Sequence, residues 1–210
     1  MIINFAVITT LSVIAPAFLG AIFFRGLSRT LKILSCFLFI TVISEGISLV
    51  LYTKGMNNLF LFHAYAYLEL GFTSIIFYRL TSSQNWRLII KLLLAGFIIF
   101  SVLNSIFLEG FYEFNANQLY LESMIILVLC VGYFTETMRK TEYIYLERNP
   151  YFWLASSFLI YFAGNSLLFL FEDILDGGGT GSYWNLHSAL NLCLNLGTAV
   201  SIWIGRKALI

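Results

Sequence analysis

The run LKILSCFLFITVISEGISLVLY, from Leu31 to Tyr52, decides the fold. At about 1.5 Å per residue, a helix of this length matches the roughly 30 Å of hydrocarbon in a bilayer. In lipid an open strand would leave backbone N–H and C=O groups unpaired, and the run lacks the alternation of a membrane barrel. A helix is therefore forced on it. Arg25, Arg29 and Lys32 mark its start, and the carboxylate of Glu45 falls inside it.

Comparable apolar runs extend from Ile2 to Phe24, Leu59 to Leu80, Leu88 to Phe107, Leu119 to Met138, Tyr151 to Phe171 and Tyr183 to Ile204. With the run from Leu31 they predict an all-α integral membrane bundle of seven transmembrane helices, a single domain over residues 1–210. The N-terminal run lacks the basic start and small-residue cleavage pattern of a secretory signal, so it is expected to be retained as the first helix. The composition agrees. Of the 210 residues 60% are hydrophobic and 11% charged, against about 25% charged in an ordinary soluble domain, and the mean hydropathy is +0.86.

Basic residues set the expected orientation, since cytoplasmic loops retain Lys and Arg. Arg25, Arg29 and Lys32, then Arg79, Arg87 and Lys91, then Arg139, Lys140 and Arg148, then Arg206 and Lys207 all fall at one end of the predicted bundle. Only Lys54 falls at the other end, with Glu109, Glu113, Glu172, Asp173 and Asp176. This asymmetry predicts the N-terminus outside, the C-terminus cytoplasmic and a multi-pass protein of the cell membrane. The stretch from Asp176 to Ser182 reads as a flexible outer loop, because no Lys-Ser or Lys-Thr follows its glycines to make a phosphate cradle. Pro16 is expected to kink the first helix. Trp86, Tyr151, Trp153, Tyr183 and Trp184 read as interfacial anchors. Cys36, Cys130 and Cys193 lie in apolar runs and read as small hydrophobes. The net charge of +1 says nothing about nucleic acid, and no basic stripe with interleaved aromatics points to it, so no nucleic-acid partner is expected.

Polar residues within the spans carry the functional reading. A carboxylate at mid-membrane costs about 2.5 to 3.5 kcal/mol on insertion scales, so Glu45, Glu69 and Glu122 should face the bundle interior, either protonated or paired with a donor. On the second helix Thr41, Glu45, Ser48 and Tyr52 share a face, and on the seventh His187, Asn191, Asn195 and Thr198 do. The sixth offers Ser157, Tyr161, Asn165 and Glu172, and the fifth Glu122, with Tyr133 and Glu136 toward its inner end. On the third, His63, Tyr67 and Ser74 lie on one face while Tyr65 and Glu69 point elsewhere, which predicts a helix with neighbours on several sides.

Depth gathers these groups. His63 lies about five residues below the outer end of its helix, His187 about four, Glu122 about three to five and Glu45 about seven. Asn165 is also in the outer half, with Glu69 and Asn195 near the midplane. An outward-facing pocket is expected from Glu45, His63, Tyr67, Glu69, Glu122, Asn165, His187, Asn191 and Asn195. It suits a small polar ligand, an ion or a lipid headgroup, in a receptor-like or carrier-like protein whose short loops need a cytoplasmic or membrane signalling partner.

Two further readings use the same residues. Zinc is the candidate cofactor for His63, His187, Glu122 and Glu45, with Glu69 as general base, in a membrane-embedded lipid hydrolase. Seven-helix zinc hydrolases of the ceramidase and progestin-receptor type, however, carry His-x-x-x-His on the last helix, where this chain reads His187-Ser-Ala-Leu-Asn191. A proton-coupled transporter would use the three glutamates. A haem between His63 and His187 would leave those glutamates without a role. Retinal is excluded because the last span holds no Lys before Lys207, and a serine triad because no Asp lies within a span.

Overall fold

The computed structural model describes residues 9, 11–139, 145–170 and 182–206, with the side chains of 182–184 left aside. Segment 172–181, Lys140, Lys207, most of the N-terminal half of the first apolar run and the rings of Tyr183 and Trp184 lie outside it. The described residues form seven α-helices: α1 Ile14–Phe23, α2 Arg29–Thr53, α3 Leu59–Leu80, α4 Gln84–Phe107, α5 Ala116–Arg139, α6 Pro150–Leu170 and α7 Ser182–Gly205. Six are long and apolar enough to cross a membrane, and the shorter apolar stretch is Ile14–Gly26.

Local chemistry sets the ends. Ser28 and Ser83 cap α2 and α4 by accepting from Leu31 N and Trp86 N at 3.3 and 3.4 Å. Pro150 begins α6, where its fixed φ is already helical. The C-terminus of α2 turns through Gly55 at φ +68°, with Met56 N bonded to Leu51 O and Gly55 N to Tyr52 O, a paired closure that only glycine adopts without strain. Pro16 has no N–H for the carbonyl of Ser12, and the helix is interrupted at Val13, one residue beyond it.

The helices close into a ring. α1 packs between α2 and α7, α7 lies on α6, α6 on α5, α5 on α3 and α3 on α2, while α4 docks outside against α3 and α5. This explains a third helix that is polar on two sides: one faces the interior of the ring and the other faces α4. Small residues bring α6 and α7 together, for a Cβ on Gly197 would stand 2.5 Å from that of Ser157, and one on Gly164 would strike Leu190. Outward faces are strongly apolar, as Phe18, Ile43, Leu92, Ile99 and Phe107 show, which suits hydrocarbon rather than water.

The basic residues meet at one end. There Arg79 Nε donates to Thr30 Oγ1 at 3.4 Å, the hydroxyls of Ser28 and Tyr151 lie 2.7 Å apart, and Gly205 abuts Leu31 and Pro150. Glu136 latches α5 to the α3–α4 connection, accepting from Thr81 Oγ1 at 2.5 Å and Ser82 N at 2.8 Å. Leu31, Leu34, Leu154 and Ile202 fill the bundle on that side. Lys54 is at the opposite end, where Asn57 Nδ2 donates to Tyr112 O at 2.9 Å.

Candidate functional site

A cavity of about 140 Å³ opens inside the ring, running from Ser48 and Phe62 near the α2–α3 connection to Leu34 and Thr198 in the basic half of the bundle. The stripe of α2 supplies Thr41, Glu45 and Ser48 to its wall. The stripe of α7 supplies His187, Asn191, Asn195 and Thr198, all three or four residues apart and therefore on one helical face. α3 adds Tyr65 and Glu69, and α6 adds Tyr161. Phe37, Phe62, Phe114, Phe158 and Phe169 supply apolar and aromatic surface between them. No Lys or Arg is among the described residues that line it.

The polar wall is partly ordered by its own bonds. Asn195 Nδ2 donates to Asn191 Oδ1 at 2.8 Å and to Ser12 Oγ at 2.7 Å, tying α7 to the interruption before α1. His187 Nδ1 lies 2.7 Å from Asn165 Oδ1, with Asn165 fully buried behind the wall. Tyr65 and Thr41 hydroxyls are 3.0 Å apart, and the Tyr65 ring stacks on Phe37 at 5.9 Å.

The carboxylates are held differently. Glu69 is 8% exposed and Glu122 1%. Glu122 is behind the wall rather than on it, and its Oε1 has no hydrogen-bond partner among the described residues. Glu45 and Glu122 are each within electrostatic reach of Glu69, and all three are within reach of the Tyr161 hydroxyl. Three acidic groups from α2, α3 and α5 thus share one neighbourhood, with His187 but no Lys or Arg among the described residues on the cavity wall.

His63 and Tyr67 are placed elsewhere. Residues two apart on a helix point about 200° apart, so Tyr65 facing the cavity turns both His63 and Tyr67 toward α4. Tyr67 packs edge-on against Phe97 at 5.8 Å. His63 Nε2 donates to the carbonyl of Glu113 at 3.2 Å, which leaves Nδ1 to accept from Ser105 Oγ at 3.4 Å. Gln118 Nε2 reaches the His63 carbonyl at 3.4 Å, Asn115 Nδ2 reaches Gln118 Oε1 at 3.1 Å, and Glu109 bonds Asn104 Nδ2 and Asn117 N at 2.5 and 2.9 Å. This is a hydrogen-bonded joint of α3, α4 and α5, in which Asn104 Oδ1 and Asn115 Oδ1 are buried without a partner among the described residues. Both ring nitrogens of His63 are engaged there, apart from the cavity that His187 lines.

The expected pocket therefore divides. Glu45, Glu69, His187, Asn191 and Asn195 share the cavity, Asn165 and Glu122 stand directly behind it, and His63 and Tyr67 belong to another joint. No group of three or more His, Cys, Asp or Glu side chains among the described residues is placed to hold a metal ion, so the zinc set of His63, His187, Glu122 and Glu45 lacks the clustering it needs. Tyr65 and Tyr161 were not in the sequence-predicted set. Tyr161 lies four residues before Asn165 on the α6 stripe, and Tyr65 four before Glu69, which was the available signal. The chain matches no protein family, no curated protein and no solved structure.

Proposed function

We propose that this protein crosses the cell membrane seven times, N-terminus outside, and binds a small ligand in an outward-facing cavity, acting as a receptor-like protein. The observation that carries the reading is that Glu45, Glu69, His187, Asn191 and Asn195, from three helices, line one cavity of about 140 Å³. That volume is close to the roughly 150 Å³ that takes up a molecule of benzene in an engineered protein. The orientation is supported by the gathering of basic side chains at the end opposite the α2–α3 connection.

Reception is favoured over passage by the apolar filling of the basic end beyond the cavity, where Leu31, Leu154 and Ile202 are almost wholly buried. The α2–α3 and α3–α4 connections are short, so a signal would leave through helix shifts read by a partner at the cytoplasmic face.

The test is a thermal-shift screen of the detergent-purified full chain against alcohols, sugars, carboxylates, phosphates, amines and inorganic cations. At least one class should raise the melting temperature saturably, and the rise should be lost in Glu45→Ala and Asn191→Ala. A panel that stabilises nothing, or a rise that survives both substitutions, would end the proposal.

A further inference from the structure

We infer that the occupant of this cavity is a small organic cation, an ammonium group on an apolar body of about six to eight heavy atoms. The inference rests on reading the cavity as a ligand site and adds the charge and shape of what enters it.

Charge is the first argument. Glu45 and Glu69 are on the wall, Glu122 lies behind Glu69, and no Lys or Arg among the described residues faces them. An anion would meet these acidic groups with no Lys or Arg to offset them and only the His187 imidazole, already bonded to Asn165, as a basic side chain, so phosphate and carboxylate ligands are disfavoured. A neutral ligand would leave the carboxylates as they are. Glu69, more than nine-tenths buried, aims into the cavity and forms no hydrogen bond among the described residues, and Glu122 Oε1 is buried without a partner. An ammonium group in the cavity supplies the donors that Glu69 lacks and a charge opposite to that of the carboxylates.

Shape is the second argument, and it is independent of the first. Much of the remaining wall is aliphatic and aromatic, with Tyr65 stacked on Phe37 on one side and Phe158 and Tyr161 on another. Ring faces attract a cation from within about 6 Å, and they also pack an apolar body. A bare metal ion would satisfy the carboxylates but leave this aromatic surface unused.

The experiment compares three probes of one shape: benzylamine, benzyl alcohol and benzoate, each titrated calorimetrically into the purified full chain, with sodium chloride as a separate arm. Benzylamine should bind saturably, at least about tenfold more tightly than the other two. Glu69→Gln, which keeps the side-chain volume, should weaken it by about tenfold or more while leaving helicity and elution unchanged; Glu45→Gln serves in its place if that variant does not fold. Benzyl alcohol or benzoate binding as well as benzylamine, or sodium alone showing the carboxylate dependence, would overturn the cationic inference while leaving the cavity reading in place. Benzylamine failing to bind overturns it as well, and if the broader screen is also empty the cavity reading falls with it.

Discussion

His187 Nδ1 lies 2.7 Å from Asn165 Oδ1, joining α7 to α6 through a side chain that is wholly buried. The amide oxygen is an acceptor, so the imidazole presents its Nδ1–H to α6. The same bond sets the orientation of the ring on the cavity wall. Asn165→Ala should lower stability by about 1 kcal/mol, in the range of hydrogen bonds between membrane helices. Ser201→Ala, which removes a buried hydroxyl without a partner among the described residues, should lose less. Unfolding of both variants in mixed detergent micelles measures this, and equal losses would refute the bond's role.

Close approach of α6 and α7 makes a second expectation. A methyl group on Gly197 would stand 2.5 Å from Ser157 Cβ, whereas one on Gly96 meets nothing within 4 Å. Gly197→Ala should therefore cost about 1 to 3 kcal/mol through overpacking. Gly96→Ala should be neutral or slightly stabilising, from helix propensity. Matching melting temperatures for the two variants would count against the packing described here.

Glu122 sets stability against binding. Its buried Oε1 is without a partner among the described residues, and such a group costs about 1 to 3 kcal/mol. Glu122→Met, of similar volume, should raise the melting temperature of the ligand-free protein and weaken any ligand held near Glu69. A destabilised Glu122→Met variant would show that the carboxylate is structural.

Orientation is testable with single cysteines. An impermeant maleimide added to intact cells should label Asn57→Cys, on the α2–α3 connection, and spare Ser82→Cys, on the α3–α4 connection. Inverted vesicles should reverse the pattern. The opposite labelling would turn the protein over and place the cavity on the cytoplasmic side.

Metal content follows from the two histidines. With both nitrogens of His63 engaged by Ser105 and the Glu113 carbonyl, gently purified protein should carry well under one equivalent of zinc, iron or manganese by mass spectrometry. Stoichiometric zinc lost in a His187→Ala variant would restore the hydrolase reading.

Most of the secondary structure was legible in the residues alone, because lipid leaves the backbone one economical solution, and apolar length then marks each helix. The runs from Leu59 to Leu80 and from Leu31 to Tyr52 coincide with α3 and α2 to within about two residues. The stripes on α2 and α7 were legible for a related reason: a helix repeats every 3.6 residues, so Glu45 with Thr41 and His187 with Asn191 had to share a face. Depth, too, follows from sequence position.

Which stripes meet was decided only by the tertiary structure. Depth is one coordinate, and His63 has nearly the same depth as His187, yet α3 turns His63 and Tyr67 toward α4 and Tyr65 and Glu69 toward the interior. The choice comes from packing, since the peripheral seat of α4 and the close fit of Gly197 on Ser157 determine which faces enclose the cavity. No local pattern encodes that arrangement, because it depends on the shapes of helices far apart in the chain.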